Sequence, residues 1–146
     1  MVIERAEADD LAAVQRLLTG HGLPLEGVVQ HLSTMVVARD NGRIVGVAAV
    51  ELYEGGALLR SVAVDAAAQG RGLGHQLTEA ALEIARERQL DAVFLLTTTA
   101  ERFFPKLGFE QISRDEVPAT VQASVEFQSA CPASAIVMRR RLPSAP

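Results

Sequence analysis

The sequence has little cysteine and few aromatic residues. Cys131 is its single cysteine, so no disulfide can form within the chain. Aromatic residues make up 4% of the 146 residues, with no tryptophan and one tyrosine, Tyr53. The core must therefore be built mostly from aliphatic side chains. A hydrophobic fraction of 49% with 22% charged residues excludes a disordered chain and predicts one globular domain, residues 1–142, followed by a tail, residues 143–146.

Excess basic charge and long apolar runs are also missing. The formal net charge is −4, whereas binding through nucleic-acid phosphates requires a basic face, so no nucleic-acid partner is expected. No apolar run approaches the roughly 20 residues that span a bilayer, and residues 1–5 contain no apolar signal core. We therefore expect a cytoplasmic protein without a membrane partner. His21, His31 and His75 are too scattered in sequence to indicate a metal site.

Hydrophobic periodicity predicts an α+β fold, with a mixed, mostly antiparallel sheet and helices on both faces. Asn41 and Gly42 between two apolar runs predict a β-hairpin, because both residues tolerate the positive φ angles of a primed turn. Asp9 is the predicted N-cap of a first helix that ends at Gly20. The continuous apolar run at residues 92–96 predicts a central strand covered on both faces. Other strands are predicted at residues 2–3, 35–39, 44–52, 57–64, 109–113 and 136–142, and other helices near residues 28–32, 72–88 and 100–107.

The most informative segment is a glycine-rich turn between a strand and the long helix. Because Gly70, Gly72 and Gly74 carry no side chains, a ligand can approach the main chain closely. The unpaired N–H groups of the helix's first turn can then bind a pyrophosphate, and Arg71 can add a full positive charge. A tight strand-to-helix turn without a ligand is the alternative. The dinucleotide pattern G-x-G-x-x-G fails, because His75 stands where it needs a glycine.

Two motifs carry a resemblance to a known family. Gln69, Gly72 and Gly74 satisfy the pattern Q/R-x-x-G-x-G/A, which resembles the pyrophosphate loop of the GNAT superfamily of acetyl-CoA-dependent N-acetyltransferases. Residues 103–109, Phe-Phe-Pro-Lys-Leu-Gly-Phe, look like the superfamily's F-Y-x-K-L-G-F segment. The triplet at residues 97–99 and the ending at 117–134 are similar to amino-acid N-acetyltransferases, including the acetylglutamate synthase catalytic domain. They are also similar, more closely, to GNAT proteins associated with arsenic resistance.

The resemblance implies the GNAT fold and acetyl-CoA as co-substrate. In that fold the strand at residues 58–64 splays from the strand at 92–98, and the pantetheine arm lies in the opening. An unpaired strand N–H near Val62 or Ala63 could stabilise the oxyanion. The predicted coenzyme contacts are Val62, Ala63, Val64, Gln69, Gly70, Arg71, Gly72, Leu73, Gly74, His75, Phe103 and Phe104.

Attack of an amine on a thioester needs a base and a proton for the leaving thiolate. Glu51 is the candidate base, directly or through water, with Glu54 second; a solvated or salt-bridged surface carboxylate is the alternative for each. Phe104 stands where many family members have tyrosine and cannot donate a proton. Water or a hydroxyl of residues 97–99, with Thr98 as the catalytic candidate, must supply it, unless these threonines only satisfy strand-end backbone groups.

The acceptor contacts are the least determined part of the site. Arg60 is predicted to meet an acceptor carboxylate, or to form a surface ion pair. Thr97, Cys131 and Ser134 are the other candidates, and Cys131 is either a small buried residue or a thiol contact to an arsenical. Arginines 139–141 are expected on a solvated sheet edge.

The predicted function is direct transfer of an acetyl group from acetyl-CoA to an amino acid or an analogue, with a link to arsenic resistance. A non-catalytic acyl-CoA sensing domain is the alternative, because the tyrosine is missing. The oligomeric state does not follow from the residues, and a homodimer stays open.

Overall fold

A single mixed sheet forms the centre of the protein. The computed structural model describes residues 1–130 and 134–143. The strands are β1 (Val2–Arg5), β2 (Met35–Asp40), β3 (Arg43–Tyr53), β4 (Gly56–Val64), β5 (Ala92–Thr97), β6 (Glu110–Ile112) and β7 (Ile136–Arg141). Their order in the sheet is β1-β2-β3-β4-β5-β7-β6, and every pair is antiparallel except β4 with β5. The predicted mixed, mostly antiparallel sheet is confirmed.

Helices cover both faces of this sheet. The α-helices are α1 (Leu11–Gly20), α2 (Leu73–Glu87) and α3 (Ala119–Gln122). Short 3-10 turns lie at Ala8–Asp10, Val29–Thr34, Ala66–Ala68, Phe104–Leu107 and Arg114–Glu116, and a π-helical turn at Glu126–Ala130. Helix α2 packs on one face, where Leu77 joins the same cluster as Val50 and Leu95. On the other face Leu18 of α1 packs with Val37, while Val121 of α3 packs with Leu58 and Phe94. No helix within the described ranges is both long and apolar enough to cross a membrane.

The hairpin and the central strand follow their sequence signals. Asn41 and Gly42 join β2 to β3 with φ angles of 53° and 79°, as the primed turn requires. Strand β5 is central, because it lies between β4 and β7 and contributes Leu95 to one core cluster and Phe94 to another.

The predicted N-cap at Asp9 is wrong. Instead, Glu7 and Asp10 form a capping box, in which the Glu7 N–H donates to the Asp10 carboxylate at 2.8 Å. Arg39 donates to both oxygens of Asp10, at 2.8 and 2.5 Å, and this contact holds the pKa of Asp10 below its usual value. The partner on β2 is distant in sequence, so local spacing could not distinguish Asp10 from Asp9.

The expected arginine edge is also wrong. Strand β7 is the last in sequence, yet it lies between β5 and β6 rather than at the side of the sheet. Arg139 pairs with Glu110 of β6 at 2.9 Å, and Arg140 pairs with Glu79 of α2 at 2.5 Å. The position of β7 depends on which strands it pairs with, and no local pattern encodes that pairing.

Candidate active site

The parallel strands β4 and β5 separate shortly after they meet. They pair at Ala57 with Val93 and at Leu58 with Phe94, and the ladder ends there. A cavity of about 600 Å³ opens between the diverging strands, lined by β4 on one side and by residues 95–97 of β5 on the other. The splay expected between residues 58–64 and 92–98 is thus confirmed.

A bulge interrupts β4 at this opening. In β3, Val47 pairs with Ala63 and Ala49 pairs with Arg60. Two residues of β4, Ser61 and Val62, therefore lie opposite one residue of β3, Ala48. Ser61 has a φ of 58°, in the left-handed region that residues other than glycine rarely occupy. A bulge leaves main-chain groups outside the ladder. It lies in the part of β4 where the sequence predicts an unpaired N–H.

The main chain at the end of β4 faces the cavity rather than β3. The carbonyl of Val64 accepts hydrogen bonds from His21 Nε2 at 2.9 Å and Gln69 Nε2 at 3.0 Å. The next N–H, that of Asp65, donates to Val45 beside β3 at 2.8 Å. Because successive strand residues present their peptide groups to alternate sides, Val62 and Val64 share the side that faces the opening. There β5 supplies no ladder partner.

The glycine-rich turn brings the start of α2 to the same cavity. Gly70 and Gly72 have φ angles of 84° and 74°, and Gly72 is the N-cap of α2. A Cβ added to either residue would meet nothing within 4 Å, so the space above the helix start is open. The lining of the cavity includes Gln69, Gly70, Gly72, Leu73, Gly74 and His75. Arg71 is exposed in the same turn.

Phe103 and Phe104 form an aromatic wall of the cavity. Their rings meet edge to face with centroids 5.0 Å apart, and both residues line the cavity. A Cβ on Gly74 would lie 3.0 Å from the Phe103 ring, so glycine at this position allows the ring to pack against α2. Phe104 is buried and also contacts Phe109 edge to face. It carries no group that can donate a proton.

A buried ion pair lies beside the bulge. Arg60 Nη1 donates to Glu51 Oε2 at 2.8 Å, and the two side chains are 0% and 1% exposed. They share one face of the sheet at diagonal positions, because Glu51 opposes Leu58 and Arg60 lies two residues further along β4. The alternative of a surface carboxylate is therefore wrong for Glu51. Arg60 does form an ion pair, but the pair is buried rather than at the surface. Strand alternation turns both residues toward a face that the loop before β2 covers.

That loop approaches the ion pair through a glycine. Gly27 has a φ of 83°, and a Cβ there would lie 2.7 Å from Arg60 Nη1. His31 Nε2 lies 3.5 Å from Glu51 Oε2. Desolvation lowers the pKa of His31; the Glu51 charge opposes this effect and the Arg60 charge adds to it. The imidazole is therefore neutral at pH 7.

Tyr53 and Glu126 complete the cluster around the pair. The Tyr53 hydroxyl donates to Glu51 Oε1, and burial raises the pKa of Tyr53, so the phenol stays protonated. Arg60 Nε donates to Ser61 Oγ at 3.0 Å and lies 3.4 Å from Glu126 Oε2. Glu126 is 4% exposed and lines the cavity. Sequence reasoning missed Glu126, because residues 114–131 show no periodicity that would indicate a buried side.

The other predicted catalytic and acceptor-binding residues differ in where they lie relative to the cavity. Thr97, Thr98 and Thr99 all line the cavity. Thr97 Oγ1 accepts the N–H of Ala100 at 2.9 Å and so satisfies the strand end, while Thr98 is exposed. Ser134 is exposed beside Ala135, which lines the cavity. Cys131 lies outside the described residues, and within those residues no group of His, Cys, Asp or Glu could hold a metal ion. Glu54, the second candidate base, is exposed in the turn.

Known proteins share both this sequence pattern and this architecture. Residues 31–111 match the family model described as "Acetyltransferase (GNAT) domain". The amino-acid acetyltransferase of Mycobacterium tuberculosis is 32% identical over 130 residues, which cover 82% of this chain and 74% of that protein.

Two solved structures are similar over nearly the whole chain. A Mycobacterium tuberculosis protein in complex with CoA has a TM-score of 0.83 and 28% identity, covering 98% of this chain and 100% of that one. N-acetylglutamate synthase from Neisseria gonorrhoeae, complexed with coenzyme A and N-acetyl-glutamate, has a TM-score of 0.82 and 26% identity. That match covers 97% of this chain but 35% of the synthase, so this chain spans about a third of the synthase's length.

Proposed function

The chain belongs to the GNAT acetyltransferase family, and on this premise we propose that it transfers the acetyl group of acetyl-CoA to the amine of an amino acid or amino-acid analogue. The observation that carries the proposal is the divergence of β4 from β5. It joins a side of β4 that has no ladder partner and the open N-terminus of α2 in one cavity. Relatives named for amino-acid acetylation, and similar structures solved with coenzyme A, support the choice of substrates.

The coenzyme occupies two parts of this cavity. Its pantetheine arm pairs with the main chain of Val62 and with the N–H of Val64, whose carbonyl already accepts hydrogen bonds from His21 and Gln69. Its pyrophosphate lies over Gly70 and Gly72, where the first-turn N–H groups of α2 and their partial positive charge favour an anion. Phe103 supplies an apolar wall. The thioester is then held at the bulge in β4.

Transfer proceeds directly within a ternary complex. The acceptor nitrogen, once it has lost its ammonium proton, attacks the thioester carbonyl; a C–N bond forms, the C–S bond breaks and the thiolate leaves. Of the two predicted positions, Val62 presents its N–H to the opening whereas Ala63 pairs with Val47 of β3, so the Val62 N–H stabilises the oxyanion. Glu51 is the candidate base, and because it is not among the residues that line the cavity, it receives the amine proton through one bridging water rather than by direct contact.

The thiolate takes its proton from water, either directly or through the Thr98 hydroxyl, which accepts a proton from water as it passes its own on. A thiol has a pKa near 8 to 9, so it leaves readily without a strong acid. Thr98 is exposed on the cavity wall, whereas the Thr97 hydroxyl already accepts the Ala100 N–H. Phe104 in place of tyrosine is thus compatible with turnover.

The acceptor enters at the end of the cavity lined by Pro24, Arg60, Ser61 and Glu126, which we name the acceptor end. Arg60 is fully buried and paired with Glu51, so its role is to organise this end rather than to grip an acceptor carboxylate in bidentate fashion. Contacts from Thr97, Ser134 and Cys131 stay predictions. So do the link to arsenic resistance, a cytoplasmic location and a homodimer.

An acceptor screen tests the proposal. Purified protein is mixed with acetyl-CoA and a panel of amino acids, and free thiol and N-acetyl products are measured by absorbance and mass spectrometry. We expect thiol release that depends on an acceptor and matches product one to one. If acetyl-CoA raises the melting temperature but no acceptor releases thiol, the proposal fails and the acyl-CoA sensing domain replaces it.

A further inference from the structure

We propose that Ser61 is a catalytic residue, whose hydroxyl donates a hydrogen bond to the thioester carbonyl beside the N–H of Val62. This inference rests on the proposed function and adds a second donor to its oxyanion site. Ser61 lies in the bulge of β4, lines the cavity and is 7% exposed. It therefore carries a buried hydroxyl at the point where the proposed function holds the thioester.

The contact with Arg60 determines what the hydroxyl can donate to. A guanidinium has N–H donors and no acceptor, so Ser61 Oγ accepts the hydrogen bond from Arg60 Nε at 3.0 Å. The hydroxyl keeps its own hydrogen, and within the described ranges no protein group accepts a hydrogen bond from it. This hydrogen is therefore available to a ligand in the cavity.

Arg60 both positions the hydroxyl and polarises it. The guanidinium is held by Glu51 through Nη1 at 2.8 Å and by the Pro24 carbonyl through Nη2 at 3.4 Å, and the side chain is 0% exposed. Glu126 Oε2 lies 3.4 Å from Nε, the nitrogen that donates to Ser61. A hydroxyl that accepts one hydrogen bond donates a stronger one, because linked hydrogen bonds polarise one another. Arg60 is thus a positioning residue that acts through Ser61.

The backbone at Ser61 agrees with a role in the site. Its φ of 58° lies in the left-handed region, which costs energy for any residue with a side chain. Strained positions of this kind cluster at active sites. Here the strain accompanies the bulge, and the next residue, Val62, also lines the cavity. The hydroxyl and the following N–H are therefore donors on adjacent residues of the cavity wall.

The two donors act on the same developing charge. When the amine attacks, the carbonyl oxygen of the thioester becomes negatively charged, and donors already aimed at it stabilise the transition state. A hydrogen bond to the charged oxygen is stronger than one to the neutral carbonyl. Loss of the hydroxyl should therefore reduce kcat more than coenzyme binding, which depends on the turn at Gly70 and Gly72.

The kinetic test removes the hydroxyl in two ways. Ser61→Ala keeps the Cβ, whereas Ser61→Gly removes it and suits the positive φ better. Both should lower kcat about a hundredfold, as loss of one oxyanion donor does, with KM for both substrates unchanged. Thr78→Val is the matched control, because Thr78 is 0% exposed, its hydroxyl has no hydrogen-bond partner in the described part of the chain, and it does not line the cavity. Its kcat should equal that of wild type.

An infrared measurement tests the contact without turnover. Acetyl-CoA with an isotopic label in the thioester carbonyl is bound in the absence of an acceptor, and the carbonyl stretch is recorded as a difference spectrum. A hydrogen bond to the carbonyl oxygen lowers the frequency of this stretch. We expect a higher frequency in Ser61→Ala and Ser61→Gly than in wild type and Thr78→Val. Calorimetry should give the same affinity for acetyl-CoA in all four proteins.

The inference requires both the loss of kcat and the change in frequency. Wild-type kcat in Ser61→Gly would overturn it, because only the backbone conformation would then matter. An unchanged carbonyl frequency in both Ser61 variants would also overturn it, whatever their kcat. A raised KM for the acceptor at unchanged kcat would instead assign the hydroxyl to acceptor binding.

These results leave the proposed function intact. The proposed function itself fails if wild type releases no thiol with any acceptor of the panel. The infrared comparison would still decide whether Ser61 contacts the thioester carbonyl, so the two failures are distinguishable.

Discussion

The guanidinium of Arg60 lies 2.8 Å from the carboxylate of Glu51, and neither side chain is reached by solvent. A pair of this kind does not guarantee net stability, because desolvating both charges offsets much of their attraction. Removing one partner destabilises the protein, because the other charge then stays buried without its counter-ion. An intact pair is therefore required both for the stability of the fold and for the arrangement of the acceptor end of the cavity.

Replacing Arg60 by methionine should destabilise the protein strongly. Arg60→Met leaves Glu51 buried without its cation, a change that typically costs about 3–5 kcal/mol. Urea unfolding followed by circular dichroism measures the loss. Arg43→Met is the matched control, because Arg43 pairs with Asp65 at 3.1 Å but is 75% exposed; its cost should stay below about 1 kcal/mol. Equal losses of unfolding free energy in the two variants would contradict the burial of Arg60 and its pairing with Glu51.

A carboxylate at the start of α2 should abolish coenzyme binding. In Gly72→Glu the side chain would project into the open space above the helix start and repel the pyrophosphate. We expect the affinity for coenzyme A, measured by isothermal titration calorimetry, to fall more than about tenfold. Gly42→Glu is the control: Gly42 has a similar φ of 79° and open space, but it lies in the β2–β3 hairpin. Unchanged affinity in Gly72→Glu would remove the turn from the site.

Stability should fall below neutral pH partly because of His31. Its pKa in the folded protein is lower than the ordinary value of 6.5, first because of desolvation. Below that value the unfolded chain binds a proton that the folded state resists, so the free energy of unfolding decreases as pH falls from 7 to 5.5. His31→Gln should show a smaller decrease over the same interval in urea titrations. An identical pH dependence in the two proteins would show that His31 titrates normally.

Two neighbouring threonines should separate catalysis from stability. Thr98→Val removes the exposed hydroxyl and should lower kcat about tenfold with KM for acetyl-CoA unchanged, if Thr98 relays the proton. Thr97→Val leaves the Ala100 N–H without its acceptor and should cost about 1 kcal/mol of unfolding free energy. Thr99→Val, another exposed residue of the cavity wall, is the catalytic control. An unaltered kcat in Thr98→Val would assign the proton to water.

Much of the fold follows from short-range features of the sequence. Asn41 and Gly42 specify the hairpin through their backbone preferences, and the spacing of apolar residues specifies α2 as an amphipathic helix. The glycine-rich turn could be recognised because it requires positive φ at Gly70 and Gly72. These signals depend on residues close in sequence, and local sterics enforce them.

The acceptor end could be predicted only in part. Glu51 and Arg60 are recognisable as charged residues near the site, yet their burial depends on the register of β3 against β4 and on the loop around Gly27. No local pattern marked Glu126 as a buried residue of the site, because its segment is irregular and its partner Arg60 belongs to a distant strand.

The sequence by itself determined the order of the seven strands and of helices α1 and α2, the turn at the start of α2 and the family resemblance that implied a coenzyme site. Only the tertiary structure decided that β7 lies between β5 and β6, that β4 and β5 part after two residue pairs, and that Glu51, Arg60 and Glu126 meet out of solvent. The physical reason is that local sterics and hydrophobic periodicity act between near neighbours. Pairing of strands and burial of charge depend instead on contacts between residues far apart in the chain.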